Sequence, residues 1–303
     1  MPSAGELIHQ HSVNVVDNPE YVSYTDKSWA REYPPMRRYT GYSTVDHEGS
    51  FHATFDPAFM PLSNDDQKRM SEPANPPNER FWRLEMEADE EHWWHNEISN
   101  IVLAAWARYP AVVQTSHTAP LSGVQISENV DSTYAMYIGN QRVPIAVGEM
   151  KRNLIQPIEW QTGKLTEAQQ KLARELRGYA DKYQCPQIFC WDGQTLLTLQ
   201  FRARKPEHIR EADCPIDCWV IPVGNSTCTL RYALYRVLVQ GLRRCQAMVA
   251  ARPLVIGSLT EHGREVFTGI YVRSVHGVTG GLYWAHPLVE DTVWETEALW
   301  HSE

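Results

Sequence analysis

The chain has 303 residues, 43% of them hydrophobic, enough for a sizeable core in one large domain or one domain with decorations. A formal charge of −9 excludes a nonspecific DNA binder that grips through a broad basic face. No run reaches the roughly 20 apolar residues that span a bilayer, and the start MPSAGELIHQHS is too polar for a signal peptide, so the expectation is an intracellular protein, cytoplasmic or nuclear, with no membrane partner.

Residues 1–80 read as an irregular N-terminal arm, polar and punctuated by Pro34-Pro35, Pro57, Pro61 and the prolines from 73 to 77. Its aromatics Tyr21, Tyr24, Trp29, Tyr33, Tyr39 and Tyr42 favour an arm that wraps the core over one that is disordered. Residues 81–303 then form a single domain, with a core over 90–201 and an extension over 202–303. The segment Glu90 to Tyr109 places Trp94, Ile98, Ile101, Val102 and Ala105 at helical spacing, and Glu97 falls on that apolar face. An unpaired carboxylate there is costly, so Glu97 wants a cation or a metal; the plain alternative is a boundary residue with its head in water. His92 and His95 share the segment, but an isolated HxxH is a weak metal signal.

The stretch Asp131 to Lys151, DSTYAMYIGNQRVPIAVGEMK, reads as a strand, a turn at Gly139-Asn140-Gln141, and a second strand over Val143 to Val147 with Pro144 near its start. A hairpin brings the start of its first strand beside the end of its second, so Asp131 and Glu149 become neighbours, and alternation puts Lys151 on the same face as Glu149. Two carboxylates can share one hard cation, Mg²⁺ or Mn²⁺, which activates water and neutralises phosphate charge, while an ammonium orients the nucleophile or stabilises the transition state. The alternative is ordinary surface chemistry, with Asp131 as a turn residue and Glu149 and Lys151 as an exposed ion pair.

Thr166-Glu167-Ala168-Gln169 has capping-box form and opens an amphipathic helix through Leu172, Leu176, Tyr179 and Tyr183. Pro186 ends it, Gln187 to Trp191 reads as a strand, and Asp192-Gly193 turns into a further strand, Thr195 to Phe201. Arg202, Arg204 and Lys205 follow that strand, and Thr229 to Ala251 predicts a long helix carrying Arg231, Arg236, Arg243 and Arg244. These seven cations either meet nucleic-acid phosphates or flank a buried helix with their stems. The tail from Val255 to Trp300 has strand-like pieces, Glu265 to Val272 and Gly281 to Trp284. Six cysteines without zinc-ligand spacing predict free buried thiols. No internal repeat, G-x-S-x-G elbow, P-loop or G-x-G-x-x-G is present, so no nucleotide cofactor is indicated.

With Asp131-x17-Glu149-x-Lys151 on a hairpin, an upstream helix carrying Glu97, and a helix and strand downstream, the chain resembles the PD-(D/E)XK nuclease superfamily. That resemblance implies an α/β, restriction-endonuclease-like core, a mixed central sheet flanked by helices, with the irregular arm and a C-terminal helix plus strands as decorations. It implies a divalent-metal-dependent nuclease in which Asp131, Glu149 and Glu97 hold Mg²⁺ or Mn²⁺ and Lys151 assists catalysis on DNA or RNA. A second reading follows from a general likeness to fungal proteins related to the arginine-containing cyclodipeptide synthases: aminoacyl transfer from a charged tRNA, without a metal, in which the same acids bind an arginyl group. A third is an interaction module that keeps the fold and performs no reaction. Asp131→Asn and Lys151→Ala are expected to leave fold stability nearly unchanged, as surface polar changes do.

Overall fold

The apolar runs in the middle of the chain pair into a mixed seven-stranded sheet. It is seen in a computed structural model that describes residues 1–59, 62, 64–108, 111–120, 129–138, 141–203, 206–249, 272–285 and 292–294. The first eighty residues contribute α1 (Ala4–Ile8), β1 (Val15–Asp17), a 3₁₀ turn (Ser28–Glu32), β2 (Tyr39–Gly41), β3 (Ser43–Val45), β4 (Phe51–Ala53) and α2 (Asn64–Met70). Next come β5 (Phe81–Arg83), α3 (Glu87–Trp93), a π-helical turn (Trp94–Ser99) and α4 (Asn100–Ala105). The centre holds β6 (Val113–Ser116), β7 (Ser132–Ile138), β8 (Gln141–Met150), α5 (Pro157–Thr162), α6 (Glu167–Lys182), β9 (Gln187–Trp191) and β10 (Thr195–Phe201). A 3₁₀ turn (Pro206–Arg210), β11 (Ile216–Pro222), α7 (Leu230–Val249), β12 (Val272–Val275), β13 (Leu282–Ala285) and β14 (Thr292–Trp294) follow.

The large sheet runs in the order β2-β11-β10-β9-β8-β7-β6. Its pairs are antiparallel except β8 with β9 and β11 with β2. A parallel pair needs a crossover, and α6 supplies it between β8 and β9. Pro144 lies within β8, and the register shifts between Tyr134 and Ala135, so Pro144 pairs with Ala135 and Ala146 with Tyr134, leaving Ile145 as the extra residue. A bulge is where a strand tolerates a residue without a donor.

Strand alternation sorts the apolar side chains into two cores, one on each face of the sheet. Tyr134, Phe189, Trp191, Leu196 and Trp219 face Trp93, Trp94, Ile98 and Leu238 on the side of α3, α4 and α7. Val147, Ile188, Leu197, Leu199 and Val220 face Leu172, Leu176 and Tyr179 of α6. The arm packs on the core with regular structure: Leu7, Ile8, Phe55 and Phe59 enter the first core and β2 extends the sheet, while of the aromatics expected to wrap it Tyr33 is buried and Tyr21 and Tyr24 are exposed. The expected capping box at Thr166 does not form, because Gln169 accepts from Trp160 Nε1 at 2.6 Å and donates to Leu154 O at 2.8 Å. Glu159 takes the Thr166 N–H instead, at 2.7 Å. All six cysteines are free and buried. Most of the strand expected over Glu265 to Val272 lies outside the described residues, while the piece Gly281 to Trp284 corresponds to β13. Among the described residues no helix is long and apolar enough to cross a membrane.

Candidate active site

The end of β8 carries the expected convergence. Val147, Glu149 and Lys151 share the face toward α6, and Met150 turns into the opposite core. Asp131 immediately precedes β7, and its Oδ2 accepts the Met150 N–H at 2.6 Å, which ties the two strand ends together. Lys151 Nζ lies 2.5 Å from Glu149 Oε1 and 3.4 Å from Glu175 Oε1 of α6. The predicted pair and the predicted lysine are thus brought together, but as a buried cluster: Glu149 and Lys151 are each 3% exposed and Glu175 is fully buried.

Glu97 is not part of it. Its carboxylate accepts from Ser12 Oγ at 2.8 Å, Asn14 Nδ2 at 2.7 Å and Trp82 Nε1 at 2.9 Å, and Arg231 Nε donates to its backbone carbonyl. Where a cation or a metal is expected on this carboxylate, neutral hydrogen-bond donors from the arm and β5 meet it. The helical acids whose charge reaches Asp131 are Glu87 and Glu91, one turn apart on α3. Glu91 also meets His95 Nε2 at 3.2 Å and His117 Nε2 at 3.1 Å, and His117 Nδ1 stands 3.7 Å from Asp131 Oδ1. His92 instead packs edge-on against Trp82.

Too many acids surround too few cations, and the titration behaviour follows. Burial pushes Asp131 up to about 6, with Glu87 and Glu91 adding to the rise and the Met150 N–H and Lys151 opposing it. Burial also holds Glu149 well above the usual carboxylate range, against the pull of Lys151 and with the help of Asp131 and Glu175. Burial works against the charge on Lys151, yet Glu149, Glu175 and Glu87 outweigh it and keep the ammonium protonated far beyond neutral pH. Beside this cluster lies a second buried pair, Arg152 Nε and Glu90 Oε1 at 3.4 Å, both fully buried.

The arm closes the site. Ser23 N donates to Arg152 O and Arg152 N donates to Ser23 Oγ, both at 2.9 Å, while Ser23 Oγ donates to Glu87 at 2.6 Å. Thr25 Oγ1 donates to Glu175. Asn18 joins Asn153 at 2.8 Å and accepts from Arg152 Nη2 at 2.8 Å. Glu175, Glu87 and Thr25 were missed in the sequence reading. Glu175 carried a usable signal, a charge inside the apolar stripe of Leu172, Leu176 and Tyr179, whereas nothing local to Thr25 announces a partner 150 residues away.

Four of the seven basic residues expected to meet phosphate lie inside the fold. Arg231 donates to the Leu7, Gln10 and Glu97 carbonyls, Arg236 to Asp56 at 2.8 Å, Arg243 to Asp66 at 2.9 Å, and Arg244 to Gln187 and the Pro144 carbonyl. All four are 3% exposed or less, so they hold α7 against the arm and sheet and do not reach solvent. Arg202 is clamped by Asp217 at 2.8 and 2.5 Å, and Arg204 and Lys205 lie outside the described residues.

Among the described residues no three His, Cys, Asp or Glu side chains are grouped so as to hold a metal ion. Two carboxylates with waters are nevertheless an ordinary complement for Mg²⁺, and Glu149 Oε2 is buried without a hydrogen-bond partner, a free acceptor such an ion would satisfy. Comparison with known proteins gives no match to a family model, to a curated protein or to a solved structure.

Proposed function

We propose that this chain is a nucleic-acid-directed hydrolase that cuts phosphodiester bonds with a divalent metal, on a core of PD-(D/E)XK type. The observation that carries the reading is the meeting of Asp131, Glu149 and Lys151 at one end of β7 and β8, with an unpartnered Glu149 oxygen and an excess of acid over base around it. Asp131 and Glu149 would hold Mg²⁺ or Mn²⁺, which when bound lowers the pKa of a coordinated water and offsets phosphate charge. Lys151 stays protonated, so its role is that of a fixed cation for the developing charge on phosphate and not that of a general base. Glu175 positions it from the α6 side. Because the cluster is buried under Ser23 and Thr25, a polymer reaches Lys151 only when that part of the arm moves aside.

The acid excess also suits a second reading, aminoacyl transfer from tRNA, in which Glu149, Asp131 and Glu175 receive the guanidinium of an arginyl group. One assay separates the two. Purified protein is incubated with Mg²⁺ or Mn²⁺ and plasmid, single-stranded DNA, and charged and uncharged tRNA, with Glu149→Gln and an EDTA control alongside. Cutting that EDTA abolishes and that falls at least a hundredfold in Glu149→Gln is the expected result; uncut strands beside a deacylated tRNA would replace it with transfer.

A further inference from the structure

With Arg231, Arg236, Arg243 and Arg244 buried, a strand must be gripped by another surface beside the cluster. Between the 3₁₀ turn Ser28–Glu32 and the first half of α6 lies a cavity of about 260 Å³, lined by Lys27, Arg31, Lys171 and Arg174 against Asp26 and Glu167. Four cations against two acids stand out in a chain of net charge −9. Two of the four cations are engaged by those acids: the Arg31 guanidinium donates to Asp26 at 2.7 and 3.1 Å and holds its carboxyl below the usual range, and Lys171 lies 3.7 Å from Glu167, which is almost wholly exposed. Arg174 Nε is buried without a hydrogen-bond partner, a donor in want of an acceptor.

The cavity also has the right neighbours. Lys171 stands one helical turn before Glu175, so about 6 Å along the α6 axis separates the cavity floor from the acid that holds Lys151. Tyr21 and Tyr24 lie on the strap that closes the site and are 64% and 76% exposed. Each has a cation on one ring face, Arg152 at 5.9 Å and Lys171 at 5.6 Å. Exposed rings backed by cations, beside a positive cavity, are the parts from which single-strand sites are made: stacking surfaces for bases and donors for the backbone.

We propose that this surface is a single-stranded nucleic-acid site, with the cavity of Lys27, Arg31, Lys171 and Arg174 holding a backbone phosphate and Tyr21 and Tyr24 stacking the adjoining bases. It deepens the phosphodiester reading and rests on it for its catalytic meaning. The strand then lies across the segment that must move to open the cluster, so binding and opening act on the same residues.

The test is anisotropy titration of labelled 12-nucleotide DNA and RNA strands in EDTA, over a salt series, with a duplex of the same sequence as control. Wild-type protein binds a single strand, and Arg174→Gln and Lys171→Gln each weaken it about tenfold and flatten the salt dependence by roughly 0.7 in log–log slope, one phosphate contact. Tyr24→Ala weakens it by about five- to a hundredfold with the slope unchanged, and Tyr24→Phe restores it. Absence of single-strand binding, a preference for the duplex, or affinity and slope untouched in both cavity variants with unchanged melting temperature would overturn the site. Strand binding without metal-dependent cutting overturns the hydrolase reading alone; cutting with both cavity variants binding as wild type overturns this site alone.

Discussion

Lys151 is held between Glu149 and Glu175 with almost no access to water, so it is a structural cation as well as a candidate catalytic one. Removing one partner of a buried pair leaves uncompensated charge, which costs about 3–5 kcal/mol. Lys151→Ala should therefore lower unfolding free energy by that amount in urea titrations, contrary to the near-neutral change expected of a surface residue. Glu149→Gln keeps an acceptor for the ammonium and is the better probe of chemistry; a Lys151→Ala loss below about 1 kcal/mol would show that the cluster is wetter than its burial implies. The residue types and their common face were legible, because spacing and alternation fix both. Burial was not, since it depends on Ser23 and Thr25 arriving from the arm.

Among the elements, α7 comes very close to β8. A Cβ on Gly241 would sit 2.0 Å from the Ile145 carbonyl oxygen, at the bulge that Pro144 creates. No flexible side chain is there to yield, so Gly241→Ala must push α7 off the sheet, at a cost of at least 1–3 kcal/mol. Gly277→Ala, with nothing within 4 Å, serves as the matched control and should change stability by less than about 0.5 kcal/mol in the same urea titration. Equal effects in the two variants would refute the tight contact. The β7–β8 and β9–β10 pairs and the α6 crossover could be read from turns and apolar runs. The three-residue β2 and the four-residue β6 could not, because so short a strand carries no periodicity and is defined by the neighbour it pairs with.

For the whole molecule, burying acids in excess of bases makes stability depend on pH in a set direction. Burial pushes Glu90 up to about 8, opposed by Arg152 and aided by Asp192 and Asp89, and pushes Asp192 up to about 6 in spite of backbone N–H groups that donate to it. The folded state thus keeps protons that the unfolded chain has already released, and unfolding free energy falls as pH rises from about 4, the Asp192 part complete near pH 6 and the Glu90 part near pH 8. Urea titrations between pH 5 and 9 should show a decline on the order of a few kcal/mol, with the segment from about pH 6 to 8 flattened in Glu90→Gln. A wild-type profile that rises across that window would refute it.

The amino-acid sequence by itself determined the strands of the β7–β8 hairpin, the crossover helix and the common face of Glu149 and Lys151, because these follow from side-chain periodicity and turn chemistry over short stretches. Tertiary structure alone decided that Glu97 bonds to Ser12, Asn14 and Trp82 while Glu175 meets Lys151, that four arginines of the long helix face inward, and that the arm covers the cluster. A charged side chain on an apolar face only announces that it needs a partner. Which partner it finds depends on residues tens to hundreds of positions away that the fold brings to it.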